Sequence, residues 1–232
     1  MKLYTRTWGQ GDRLALLIHG GTSDSRTWTT VAPELVARGY RVVAPDLRGH
    51  GRSPRGRYDN PEAYVGDLIE TLPVDADLAI GHSLGGLFLS LAADRLRPRN
   101  LILSEPGFDQ DIKPPDFFDT VRAVLPSLTA ESLRSAHPRW TEQAVALALD
   151  ATVCLDLDLL EGLKAFRGID FRPTRAPGHA LLQIATIDST VKPTTAAELA
   201  RRGFQVDLIA DAGHDIHNDN LPGFLESLDA FA

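Results

Sequence analysis

A single cysteine, Cys154, stands in the whole chain of 232 residues. One thiol forms no intrachain disulfide and builds no cysteine-based metal site, a usage that fits a reducing compartment. No apolar run reaches the roughly 18 residues that a membrane span needs. The opening Met1-Lys2-Leu3-Tyr4-Thr5-Arg6 lacks the apolar stretch of a secretory signal, so a cytoplasmic location is expected. Positive charge is in deficit: 24 Lys and Arg stand against 31 Asp and Glu, a net charge of -7. That balance gives no electrostatic ground for nucleic acid or an anionic membrane as partner. Internal repeats, low-complexity segments and clustered histidines and carboxylates at zinc spacing are all lacking, and neither metal nor cofactor is expected. Gly49-His50-Gly51 lacks the lysine and the spacing of a phosphate-binding loop.

What remains is an ordinary globular composition, 43% apolar and 24% charged, enough for one large domain or a domain with a small insertion. Its most informative stretch is Ile80-Gly81-His82-Ser83-Leu84-Gly85-Gly86. The apolar run Asp77 to Ile80 before it reads as a buried strand. Leu84, Leu87, Phe88, Leu91 and Ala92 after it are spaced as one face of a helix. Strand, tight turn and helix therefore meet at Ser83, in the pattern G-x-S-x-G. The flanking glycines permit the close approach that so sharp a turn demands. The helix N-terminus behind it favours developing negative charge.

The rest of the chain alternates in the same way. Lys2 to Trp8 and Arg13 to Ile18 read as strands joined by a turn, the expectation being a hairpin. Trp28, Val31, Leu35 and Val36 follow at helical spacing up to Gly39. Arg41 to Ala44 is a strand, Pro61 to about Leu72 a helix capped by Asp59 or Asn60, and Asn100 to Ser104 a further strand. His179 to Thr186 and Phe204 to Ile209 resume the alternation, and Leu221, Phe224, Leu225, Leu228 and Phe231 form the stripe of a closing helix. Such alternation predicts a mostly parallel, doubly wound α/β sheet. Ligands in such sheets sit beyond the carboxyl ends of the strands.

Between Phe108 and Pro177 no strand is evident. Residues 115–125, 141–149 and 156–166 read as short helices, and aromatic residues are scattered among them. The expected organisation is a core of 1–107 and 176–232 with a helical cap, or lid, at 108–175. The expected pocket draws on Thr22, Trp28, Phe108, Phe117, Phe118, Trp140 and Val191. Arg122, Arg134 and Arg139 are the lid cations available to a substrate carboxylate.

A serine hydroxyl needs a base to take its proton, and a carboxylate must hold that base in the right tautomer. His214 is the base of choice, since it follows Gly213 in the loop after a strand; His217 is its near competitor. Asp188 ends its strand on the same edge and is the expected carboxylate, with Glu105 the alternative because it too ends a strand. Backbone N–H groups of Leu84 and Gly21 are the expected oxyanion donors. His19 and His50 are expected to brace their glycine-rich loops, and His82 to point away from Ser83.

Taken together, His19-Gly20-Gly21…Trp28, Asp46 to Ser53, Gly81 to Gly86, Asp188 and Gly213-His214 resemble the α/β-hydrolase superfamily, most closely its small, cap-bearing esterase, lactonase and carbon–carbon-bond hydrolase branch. The resemblance covers nearly the whole chain. It implies an eight-stranded sheet with a lid after the sixth strand. Only one strand precedes Arg13 here, where two are usual, so about seven strands are predicted. Similar dehalogenases and epoxide hydrolases carry aspartate where this chain has Ser83. The implied activity is therefore hydrolysis of a small or medium, largely apolar ester, lactone or thioester by a monomer or homodimer acting on a small molecule. Two alternatives stand beside it: a carbon–carbon hydrolase, lyase or perhydrolase on the same triad, and a ligand receptor that does not turn over.

Overall fold

The computed structural model describes residues 1–231. In chain order the elements are β1 (Thr5–Trp8), β2 (Arg13–Ile18), α1 (Val31–Ala37), β3 (Tyr40–Pro45), α2 (Pro61–Thr71), β4 (Leu78–His82), α3 (Leu84–Leu96) and β5 (Asn100–Ser104). Four helices follow: α4 (Phe117–Val124), α5 (Ala130–Ala136), α6 (Glu142–Cys154) and α7 (Asp158–Leu163). The chain then completes the sheet with β6 (His179–Ala185), α8 (Pro193–Arg201), β7 (Gln205–Ile209), α9 (Ile216–Asp219) and α10 (Leu221–Phe231). The seven strands form one sheet in the order β1-β3-β2-β4-β5-β6-β7, as the count from sequence anticipated. Only the β1–β3 pair is antiparallel.

β1 departs from expectation. It pairs with β3, Thr5 opposite Pro45 and Trp8 opposite Val42, and forms no hairpin with β2. Both sides of β2 are taken by the parallel strands β3 and β4. The cause is burial. β2 is buried from Leu14 to Ile18, whereas β1 has no fully buried residue and suits an edge.

Alternate side chains of β2 divide between two layers. Leu16 and Ile18 belong to one apolar layer with Tyr64 and Leu68 of α2, Phe88 of α3 and Leu199 of α8. Ala15 and Leu17 belong to the opposite layer with Trp28, Leu35 of α1, and Phe224 and Leu228 of α10. The helices between β5 and β6 extend the first layer through Leu159, Leu160, Leu163 and Phe166. Phe166 packs edge-on against Tyr64 and Phe88, with ring centres 6.0 and 5.9 Å away. α5, which periodicity did not reveal, starts at a reciprocal cap. Thr129 Oγ1 accepts from the Ser132 N–H at 3.1 Å, and Ser132 Oγ accepts from the Thr129 N–H at 3.0 Å. No helix among the described residues is long and apolar enough to cross a membrane.

Candidate active site

Ser83 joins β4 to α3 with φ 50° and ψ −115°. A non-glycine residue at such angles carries strain of roughly 1–3 kcal/mol, which its surroundings must hold in place. Here the Ser83 N–H donates to the Ser104 carbonyl at 3.1 Å, and its own carbonyl accepts from Leu87 and Gly107 at 3.2 and 3.3 Å. Gly85 allows the turn to press against β2: a Cβ there would lie 2.5 Å from the carbonyl oxygens of Ile18 and His19. The hydroxyl so presented is 2.9 Å from Nε2 of His214.

His214 lies in the loop between β7 and α9. Its Nδ1 is 3.3 Å from Glu105 Oε2 and 3.3 Å from Thr190 Oγ1. Its backbone is held by His82, whose Nε2–H donates to the His214 carbonyl at 2.9 Å. A carbonyl only accepts, so this contact fixes the His82 tautomer. Burial pushes the His82 pKa down, in keeping with a neutral ring. The side chain next to Ser83 thus reaches toward the His214 backbone and holds it.

Glu105, one residue beyond β5, is fully buried. Oε1 accepts from the Ala185 N–H at 2.8 Å and the Ser189 hydroxyl at 2.7 Å. Oε2 accepts from the Thr190 N–H at 2.8 Å and the Thr190 hydroxyl at 3.0 Å. Burial pushes this carboxyl up, but the hydrogen bonds from His214, Ser189, Ala185 and Thr190 outweigh burial and hold its pKa below the ordinary value. An ionised acceptor therefore faces Nδ1 of His214.

Asp188, the carboxylate expected from its strand end, does not take this place. It is exposed, at φ 50°, and makes no hydrogen bond to His214. The reason lies in the next two residues. Ser189 and Thr190 both fold over Glu105, and the loop they pin leaves Asp188 on the cavity wall. The two candidates end neighbouring strands on one edge of the sheet, and only the fold of this loop separates them.

Gly21 and Leu84 line the same cavity as Ser83, and a Cβ on Gly21 would stand 3.5 Å from Leu84 Cδ2. Among the described residues neither N–H has a protein acceptor. His19 aims the Gly21 peptide. Its Nε2 accepts from the Leu47 N–H at 2.9 Å, so Nδ1 carries the proton and donates to the Gly20 carbonyl at 2.7 Å. The C=O and N–H of one peptide unit point opposite ways, so fixing the Gly20 carbonyl fixes the Gly21 N–H. Burial, then the charge of His50, lowers the His19 pKa to about 4, which keeps the ring neutral as this tautomer requires. His50 lies with Nε2 2.9 Å from the Gly21 carbonyl.

The cavity over Ser83 has a volume of about 570 Å³. Of the expected pocket residues, Thr22, Phe117 and Phe118 line it. Trp28 does not: it is fully buried and packs on the His217 ring, centres 4.6 Å apart. Phe108 and Val191 are also drawn into the core beside the sheet and do not line it. Trp140 lines a second cavity of about 460 Å³, where its Nε1–H donates to Asp219 at 3.0 Å. The two cavities meet at Thr22, Phe117 and Val121. His217 is buried with Nε2 2.9 Å from Thr27 Oγ1, remote from the serine hydroxyl that His214 holds.

The model of the alpha/beta hydrolase family matches residues 15–225. An uncharacterized protein of Mycobacterium tuberculosis is 36% identical over 114 residues, 46% of this chain and 33% of that protein, so the chain matches only about a third of that relative's length. The pimeloyl-[acyl-carrier protein] methyl ester esterase of Klebsiella pneumoniae is 26% identical over 73% of this chain and 72% of its own. Among solved structures, an N-formylmaleamic acid deformylase from Pseudomonas putida superposes with a TM-score of 0.79 at 23% identity, covering 97% of this chain and 94% of that one.

Proposed function

The chain belongs to the alpha/beta hydrolase family, and from that premise we propose that it is a serine hydrolase acting through Ser83, His214 and Glu105. The observation that carries this reading is the 2.9 Å contact between Ser83 Oγ and His214 Nε2 at the wall of a largely apolar cavity. His214 takes the hydroxyl proton as Ser83 attacks an acyl carbon. Glu105 holds the Nδ1–H tautomer and offsets the imidazolium charge that forms. Its 3.3 Å contact is long for a hydrogen bond, and such contacts tighten as charge develops. The N–H groups of Gly21 and Leu84 receive the oxyanion. His214 then gives its proton to the leaving group, and a water activated by the same ring releases the acyl group from Ser83.

In this reading residues 108–175 act as a lid that closes the cavity with Phe117, Phe118, Leu160 and Leu163. The substrate is a small or medium, largely apolar ester, thioester or lactone. The Klebsiella relative, named for cleaving a methyl ester, is consistent with that bond type. A fluorophosphonate probe tests the assignment. Covalent labelling confined to Ser83, together with turnover of some p-nitrophenyl ester or lactone, is expected. Ester turnover at an unchanged rate in Ser83→Ala would sink it.

A further inference from the structure

The cations of the helical segment are nearly all satisfied by neighbours. Arg122 pairs with Asp158 at 3.0 Å, Arg134 with Glu142 at 2.6 Å, and Lys164 with Asp119 at 2.6 Å. Arg122 and Arg134, marked in the sequence as possible carboxylate binders, are thus committed elsewhere; Arg139, marked with them, is exposed and has no ion pair among the described residues, and none of the three lines the cavity over Ser83. Arg167 donates to the Pro114 carbonyl at 2.8 Å. Lys113 differs. It lines the cavity, and among the described residues it has no carboxylate within ion-pair distance. Its ammonium lies 4.9 Å from the ring centre of Phe117 and 5.8 Å from that of Phe118, both cavity walls.

Lysine usually carries its charge out to water along a flexible stem. Here the charge is kept among aromatic faces, where it lacks a full counter-charge. Burial, and then the charge of Arg167, lowers the Lys113 pKa to about 8, so the group remains largely cationic at neutral pH. Among the described residues, the other carboxylate or cationic side chain on the cavity wall is Asp188. Asp188 sits beside Ser189 and Thr190 on the loop after β6, on the side of the base. The wall is therefore polarised, cationic toward Phe117 and Phe118 and anionic toward His214. An anionic group entering this cavity is drawn to the Lys113 side and repelled from the other, which orients whatever is joined to it.

We propose that Lys113 binds a carboxylate of the substrate, and that the preferred substrate class is the ester, thioester or lactone of a molecule bearing a carboxylate away from the scissile bond, such as a half-ester of a dicarboxylic acid. This rests on the assignment of Ser83 as nucleophile only for where the reacting carbonyl lies. The binding itself is separable from it. Lys113 is in this sense a specificity-determining residue.

The test uses Ser83→Ala, which binds without turnover, with monomethyl glutarate and dimethyl glutarate as calorimetric ligands. Ser83→Ala is expected to bind the monoester about tenfold more tightly, the scale of one charge-assisted contact. Adding Lys113→Met removes the difference, and Lys113→Arg restores most of it. Lys113→Gln serves as the uncharged variant if the methionine protein fails to melt cooperatively. Equal affinity for the two esters, or a preference that survives loss of the ammonium, overturns the proposal. In the wild-type protein Lys113→Met raises KM for the carboxylated ester about tenfold while kcat moves little, since the contact is the same in ground and transition states. Failure of the hydrolase reading looks different: Ser83 takes no fluorophosphonate label, while the calorimetric difference persists.

Discussion

Glu105, buried behind His214, and Phe117, on the cavity wall, are held in opposite ways. Glu105, beyond β5, is fixed by backbone and hydroxyl donors on both oxygens and has no exposure. Phe117, at the start of α4, is partly exposed, rests edge-on against Phe118 with ring centres 5.3 Å apart, and has an open cavity on either side. The strand ends around Glu105 are over-determined by directional bonds. The helical segment around Phe117 is held by packing, which tolerates change of shape. On the proposed reading, chemistry that needs atoms placed to a fraction of an ångström belongs to the first region. On the same reading, selection among substrates, which needs only volume and polarity, belongs to the second.

Substitutions at the strand ends should therefore cost far more turnover than substitutions in the segment. His214→Ala is expected to lower kcat on an activated ester by about 10³-fold or more, since among the described residues no other side chain is within hydrogen-bond distance of Ser83 Oγ. Steady-state rates on a p-nitrophenyl ester check this, with circular dichroism to show that the fold is kept. A loss below about tenfold would erase the distinction between the two regions.

The next largest effect separates the two carboxylates. Glu105→Gln keeps the shape but loses the charge that offsets an imidazolium, and kcat should fall by about a hundredfold or more. Asp188→Asn should fall less than about threefold; asparagine is the substitution to use because it tolerates the positive φ at this position. The reverse ranking would return the role to Asp188.

Most of the fold was legible from the sequence because it rests on local signals. The elbow at Ser83 needed only an apolar run, two glycines and a helical stripe, and the structure has β4, the turn and α3 in that place. The antiparallel partner of β1 was not legible, since closeness in sequence favoured β2 while burial decided for β3. The choice between Glu105 and Asp188 depends on how Ser189 and Thr190 turn, which no periodicity encodes. Trp28, Phe108 and Val191 have the apolar character of pocket residues, and the same character draws them into the core. The helix α5 was signalled by its Thr129–Ser132 cap rather than by an apolar stripe.

The strand-end region should also respond to acid. Burial lowers the pKa of His19 to about 4 and of His217 to about 3. In the unfolded chain both rings titrate near their ordinary value of about 6.5. Between those limits the unfolded state binds protons that the folded state does not, so stability falls as pH falls. Stability from these groups is complete above about pH 6.5 and is lost progressively below it. Glu105, with its pKa lowered, contributes loss only at still lower pH, below about 4.5. Urea midpoints measured from about pH 7 down to about pH 5 should fall steadily, and His217→Gln should make the slope shallower even if it lowers the midpoint throughout. An unchanged slope would mean that His217 takes up its proton in the folded state near the ordinary value.

The effect that most sharpens the contrast is a change of acyl-chain preference, and it is expected at Phe117. Its ring stands where the cavity of about 570 Å³ meets the second one of about 460 Å³, together with Thr22 and Val121. Phe117→Ala removes the largest of the three and joins the two spaces. Because Phe117 is not fully buried, the stability cost should stay near the lower end of the ~3–5 kcal/mol seen for core phenylalanines. The reacting groups are untouched, so kcat on a short acyl ester should change less than about tenfold, while the preferred acyl chain lengthens by several carbons. Phe117→Leu should shift the preference less. Rates across p-nitrophenyl esters from acetate to decanoate read the profile directly. If the optimum stays fixed while overall rate falls, Phe117 serves the alignment of the reacting groups, and the segment shares the catalytic work now ascribed to the strand ends alone.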